Sequence, residues 1–233
     1  MTSASGEPIG VFGGTFDPIH YGHLRTAFEL KERLRLERIH FVPVGTPPHR
    51  GATVTQAELR LRMVQAAVAG HEGFVADDRE IARGGVSYTV DTLESFRAEY
   101  GTRPLCLLLG MDAFLSLPHW HRWQELLELA HLVVAHRPGW LAPQTGTLGA
   151  LLRSRRSLGP EDLRGAPAGR VHVEAVTQLE ISSTDLRASL RAGLDPKFLM
   201  PDSVCRIITE TECYAESSQQ ENVTRGEADR SQV

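Results

Sequence analysis

The stretch Gly13-Gly14-Thr15-Phe16-Asp17-Pro18-Ile19-His20-Tyr21-Gly22-His23 constrains this chain more than any other. An apolar run, Ile9–Phe12, precedes it, and a helical pattern begins near Leu24. A strand, a glycine turn and a helix start together describe a phosphate site. The glycines let backbone approach an anion closely, and the helix N-terminus offers free N–H groups and the positive end of its dipole. His20 and His23 are spaced so that on a first helical turn they face the same side. Imidazoles placed there donate hydrogen bonds to phosphate oxygens whether neutral or protonated. Asp17 precedes Pro18, a pair expected to fix the turn rather than to hold a metal. Neither G-x-G-x-x-G nor G-x-x-x-x-G-K-[ST] occurs in the chain, which excludes the two common glycine fingerprints.

Beyond this turn, strand-like apolar runs recur at Ile9–Phe12, Ile39–Val44, Phe74–Ala76, Leu105–Leu109, Leu132–Ala135 and Val171–Val173. Helical patterns alternate with them at Leu24–Leu34, Gln56–Ala69, Thr89–Tyr100, Trp123–Leu129 and Leu148–Arg155. The alternation predicts an α/β fold, a Rossmann-like parallel sheet with helices on both faces. In such folds ligands bind beyond the carboxyl ends of the strands, which is where the glycine–histidine turn must lie. At 233 residues the chain fits one domain. We expect a flexible N-terminus over 1–7, a single domain over 8–213 and a polar, disordered tail over 214–233. Pro138–Gly169, with several Pro and Gly, reads as a long and less ordered excursion.

A net charge of −4 argues against non-specific nucleic-acid binding. Met1–Pro8 shows no basic or apolar signal region, and no apolar run approaches the ~20 residues that span a bilayer. A cytoplasmic protein is expected, with no membrane or nucleic-acid partner. Cys106, Cys205 and Cys213 lack C-x-x-C spacing and read as structural thiols. His40, His71, His131, His136 and His172 show no metal-ligand spacing, and no protein metal site is expected.

Nearer the C-terminus, Ile181-Ser182-Ser183-Thr184-Asp185-Leu186-Arg187 sets small hydroxyl residues before a helix, with an arginine one turn further on. By itself this reads as a capping sequence followed by a surface arginine. Together the two segments resemble the H-x-G-H and I-S-S-T-x-x-R signatures of the nucleotidyltransferase superfamily. The resemblance implies that Gly13, Gly14, Thr15, Phe16, His20, His23, Ser183, Thr184 and Arg187 bind ATP, with His20, His23 and Arg187 catalytic.

The middle of the chain narrows the acceptor. Pro47-Pro48-His49-Arg50, Ser87-Tyr88-Thr89-Val90-Asp91-Thr92-Leu93, Leu109-Gly110-Met111-Asp112 and Leu117-Pro118-His119-Trp120-His121-Arg122-Trp123 occur in succession. From about Gly10 to Thr211 the chain is similar to bacterial nicotinate-nucleotide adenylyltransferases. That likeness implies ATP and nicotinate mononucleotide as substrates, deamido-NAD and pyrophosphate as products, and Mg²⁺ accompanying ATP. Candidate acceptor-binding residues are His49 and Arg50 for the phosphate, Tyr88 and Thr89 for the carboxylate, Asp112 for ribose and Trp120 for the pyridine ring. Asp112 could equally cap the helix that follows it, and Trp123 is expected to pack in the core. Two alternatives stand beside this reading. One is a related adenylyltransferase acting on nicotinamide mononucleotide or phosphopantetheine; the other is a non-catalytic nucleotide sensor. The oligomeric state is not legible in the sequence.

Overall fold

A computed structural model describes residues 6–48, 53–136, 142–177 and 179–215. In chain order its first elements are β1 (Ile9–Gly14), α1 (Tyr21–Leu34), β2 (Arg38–Pro43), α2 (Ala57–Val68), β3 (Phe74–Ala76), α3 (Arg79–Arg83) and α4 (Thr89–Tyr100). There follow β4 (Leu105–Gly110), α5 (Met111–Ser116), α6 (Leu126–Leu129), β5 (His131–His136), α7 (Gly146–Arg155), β6 (Val171–Ala175), α8 (Ser183–Arg191) and α9 (Asp202–Thr211). The strands form one parallel sheet in the order β3-β2-β1-β4-β5-β6. Strand order reverses between β1 and β4, and the crevice beyond their carboxyl ends is the ligand position of a doubly wound sheet.

Alternate strand residues feed two cores. On one face Phe12, Phe41, Cys106, Leu108 and Val133 pack with α1, α2 and α9. On the other, Val11, Leu107, Leu109 and Val134 pack with α4, α5 and α7. The inner strands β1, β2, β4 and β5 are buried on both faces and read as continuous apolar runs, whereas the edge strands β3 and β6 are only half-buried and stood out as short apolar stretches between turns. Cys106 is enclosed in the first core, and burial pushes its thiol up to about 12. Among the described residues no helix is long and apolar enough to cross a membrane.

Three expectations need correction. Helix α1 starts at Tyr21 rather than near Leu24, because His20 itself caps it. The described part of the 138–169 excursion is ordered: it carries α7 and a short 3₁₀ turn at Pro160–Leu163, with Leu148, Leu152 and Leu163 buried. The boundary at residue 213 falls short, since Tyr214 is 2% exposed and belongs to the first core. The sequence also left out α3, which is very short, and α9, which seals α2 from the far end of the chain. The helix expected after Asp112 is α5, and it begins at Met111 on a Gly110 cap instead.

Candidate active site

The turn after β1 is assembled by the two histidines. His20 has extended backbone and caps α1, its Nδ1 accepting from the Gly22 N–H at 3.1 Å. His23 Nδ1 in turn accepts from the His20 N–H at 3.4 Å. This is a reciprocal capping box built from imidazoles instead of a hydroxyl and a carboxylate. The two rings stack with centroids 3.8 Å apart. A Cβ on Gly22 would lie 2.9 Å from the His20 ring, so only glycine lets that ring fold back over the turn.

The caps also decide the proton positions. A backbone N–H can only donate, so each Nδ1 is an acceptor and each neutral ring carries its hydrogen on Nε2. Burial lowers the pKa of His20 to about 4, and burial together with its neighbour's charge holds His23 well below its ordinary value. Near neutral pH both side chains are uncharged donors through Nε2–H.

The second motif docks onto this turn. Ser182 caps α8, accepting from the N–H groups of Thr184 and Asp185. Ser183 Oγ donates to the Pro18 carbonyl at 3.0 Å. Arg187 Nη1 donates to the Asp17 carbonyl at 2.7 Å and Nη2 to Thr184 Oγ1 at 3.3 Å. Segments more than 160 residues apart in sequence thus meet at one place, with the N-terminus of α8 beside the capped start of α1.

Asp17 holds the turn from inside. Its carboxylate, 1% exposed, accepts from the N–H and hydroxyl of Thr55, the Val54 N–H and the Tyr214 hydroxyl. With its lone pairs so engaged it is not a metal ligand. Among the described residues no group of three or more His, Cys, Asp or Glu is placed to hold a metal ion.

Beside the turn a cleft of about 690 Å³ opens at the switch point, walled by Gly13–Thr15 from β1 and Leu107–Gly110 from β4. Tyr88, Thr89, Trp120 and His121 form its far side. Trp120 is half-buried and its Nε1 donates to Ser116 Oγ, while the Tyr88 and His121 rings lie 4.4 Å apart. Helix α4 starts at this wall without a side-chain cap, so its first-turn N–H groups face the cleft end unpaired by any side chain. Among the described residues Glu80 is the one acid lining it. The histidines stand next to the cleft rather than in its wall, His23 packing against Phe12, which does line it. A shallower depression of about 500 Å³ by Trp123 and Arg155 lies near Pro167, at the amino edge of the sheet and far from both motifs.

Of the residues anticipated from the sequence, Gly13, Gly14, Thr15, Phe16, His20, His23, Ser183, Thr184 and Arg187 gather around the turn. Tyr88, Thr89 and Trp120 gather across the cleft. Asp112 is exposed on the first turn of α5 outside the cleft wall, and Gly110 rather than Asp112 occupies the cap position. His49 and Arg50 lie outside the described residues. His121, Glu80 and Arg60 are placed at or behind the site without having been anticipated. His40, His131 and His172 are buried and hydrogen-bonded within the scaffold.

Comparison with known proteins identifies the family and the fold. Residues 11–189 match the cytidylyltransferase-like family. A protein of Methylococcus capsulatus named "probable nicotinate-nucleotide adenylyltransferase" is 47% identical over 208 residues, covering 89% of this chain and 99% of its own. One of Aeromonas hydrophila with the same name is 46% identical, covering 89% and 97%. Among solved structures, the Plasmodium falciparum nicotinic acid mononucleotide adenylyltransferase complexed with NaAD superposes with a TM-score of 0.66 at 16% identity, covering 90% of this chain and 98% of that one, a likeness of fold. Two motifs joined at the switch point of a parallel sheet, and relatives of this identity over nearly the whole chain, place the chain in the nicotinate-nucleotide adenylyltransferase family.

Proposed function

We infer that this protein joins ATP and nicotinate mononucleotide to give deamido-NAD and pyrophosphate. The observation that carries the reading is the meeting of the His20–His23 pair and the α8 N-terminus beside an aromatic-walled cleft.

A 5′-phosphate oxygen of the acceptor attacks the α-phosphorus of ATP. The bond from that phosphorus to the bridging oxygen breaks, and pyrophosphate leaves with the electron pair. The attacking phosphate has a second pKa of about 6 and is anionic at neutral pH, so no general base is needed. The protein's contribution is to position the reactants and to stabilise charge that builds at the α-phosphate and on the leaving group. The Nε2–H groups of His20 and His23 serve the α-phosphate. They donate without carrying charge, and the caps that set their tautomer also fix their direction. The Ser183–Thr184 helix start and Arg187 serve the β- and γ-phosphates. A divalent cation, Mg²⁺ in our reading, neutralises triphosphate charge when bound, and the donor set fits an ion brought in on phosphate oxygens and water.

On the acceptor side Trp120 offers its ring to the pyridine, and Glu80 gives a cationic ring a negative wall. The uncapped first turn of α4 at Tyr88 and Thr89 offers N–H donors to the nicotinate carboxylate. Asp112 and His49–Arg50 remain proposed contacts for ribose and phosphate. ATP and nicotinate mononucleotide are cytoplasmic metabolites, and we propose that compartment.

The experiment is turnover of Mg-ATP and nicotinate mononucleotide by wild type and His23→Ala. Losing an α-phosphate donor should lower kcat by about 10²–10³, as for an oxyanion-hole donor, in a protein that melts as a folded unit. Near-normal kcat in a folded His23→Ala protein would overturn the assigned role.

A further inference from the structure

Arg60, on the first turns of α2, is the largest fully buried side chain among the described residues, at 1% exposure. Its donors all go to backbone carbonyls, and those carbonyls belong to different loops. Nη1 bonds Thr15 O at 2.8 Å, Nη2 bonds Val44 O at 2.6 Å and Gly45 O at 3.2 Å, and Nε bonds Thr55 O at 3.3 Å. One guanidinium therefore ties the phosphate turn after β1, the exit of β2 and the segment leading into α2.

No carboxylate among the described residues forms an ion pair with it. Asp17, Glu58 and Glu80 act on it only at longer range. A buried cation without a paired anion is costly, and carbonyl dipoles offset only part of that cost. Thr15 and Val44, two of its partners, line the cleft. The charge thus stands directly behind the wall that faces incoming phosphates, where low dielectric carries its field further than water would.

We propose that Arg60 is a positioning residue for the reaction, clamping the phosphate turn and drawing substrate phosphates toward it with an unpaired positive charge that never touches them. The proposal rests on the reading of the site as a nucleotide phosphate site. A neutral residue of similar size would leave the apolar packing in place but remove the attraction, so phosphate-bearing ligands should suffer while a nucleoside does not.

The test is calorimetric binding of ATP and of adenosine to wild type, Arg60→Lys, Arg60→Gln and Arg60→Met, each checked for a cooperative melt. Arg60→Gln should weaken ATP by about tenfold or more with adenosine unchanged, and Arg60→Lys should stay within about threefold of wild type for ATP. Arg60→Met carries the same prediction if Arg60→Gln does not fold. Wild-type affinity for ATP in either neutral variant, or equal losses for ATP and adenosine, would overturn the proposal. So would failure of both neutral variants to fold, which would make Arg60 a folding residue only. Absence of ATP binding by wild type would instead sink the nucleotide reading itself.

Discussion

His20 does three jobs with one ring: it ends the loop, starts the helix and presents a donor. Each depends on its being neutral, and burial ensures that by lowering its pKa to about 4. The unfolded chain, with a histidine pKa near 6.5, binds the proton more readily across the interval from about pH 6.5 to about 4. Stability from this group is therefore complete above about pH 6.5 and is lost as pH falls toward 4. Urea unfolding at pH 7.5 and pH 5 should show wild type losing about 2 kcal/mol more than His20→Asn over that interval. Equal losses would mean that the ring is not held neutral by the fold. His20, His23 and Arg187 were legible as candidates because glycine spacing and a hydroxyl-rich helix start are local patterns. Arg60 was not legible. In sequence it is one of two arginines on α2, and only assembly of three loops around it makes it a buried cation.

Helix starts are the elements on which this site turns. Helix α1 begins on a histidine pair, α8 on Ser182 with Ser183 and Arg187 turned back onto the Asp17–Pro18 carbonyls, and α4 on an uncapped turn facing the cleft. The inner strands were readable from the sequence because full burial writes continuous apolar runs. Helix α1 was placed three residues late because its cap is neither a hydroxyl nor a carboxylate. Helix α5 was placed to start after Asp112, late by about two residues, because it follows β4 directly and extends the same apolar run. The chain after α9 looked like the start of a polar tail, yet Tyr214 turns inward and its hydroxyl donates to Asp17 at 2.6 Å. That contact links the last turn of the fold to the phosphate turn. Removing the hydroxyl with Tyr214→Phe should lower unfolding free energy by about 1.5–3 kcal/mol, the worth of a buried hydrogen bond to a charged acceptor. A denaturation midpoint unchanged from wild type would show that Asp17 is held well enough without it.

At the scale of the whole molecule, the strand order points to where a ligand binds. A sheet ordered β3-β2-β1-β4-β5-β6 has its crevice between β1 and β4, lined by Gly13–Thr15 and the aromatic wall, with the histidine pair and the α8 N-terminus brought beside it from distant parts of the chain. The fold itself does not choose the acceptor. The choice rests on the wall opposite the phosphate turn, where Trp120 and the α4 N-terminus suit a pyridine bearing a carboxylate. An amide in that place leaves donors without an anion to serve, a loss of roughly 1–3 kcal/mol. The most direct measurement is pyrophosphate release from Mg-ATP with nicotinate mononucleotide and, separately, with nicotinamide mononucleotide. The account predicts sustained release with the acid and about 10-fold or more lower kcat/KM with the amide. Release with the amide alone, or with neither, would contradict it.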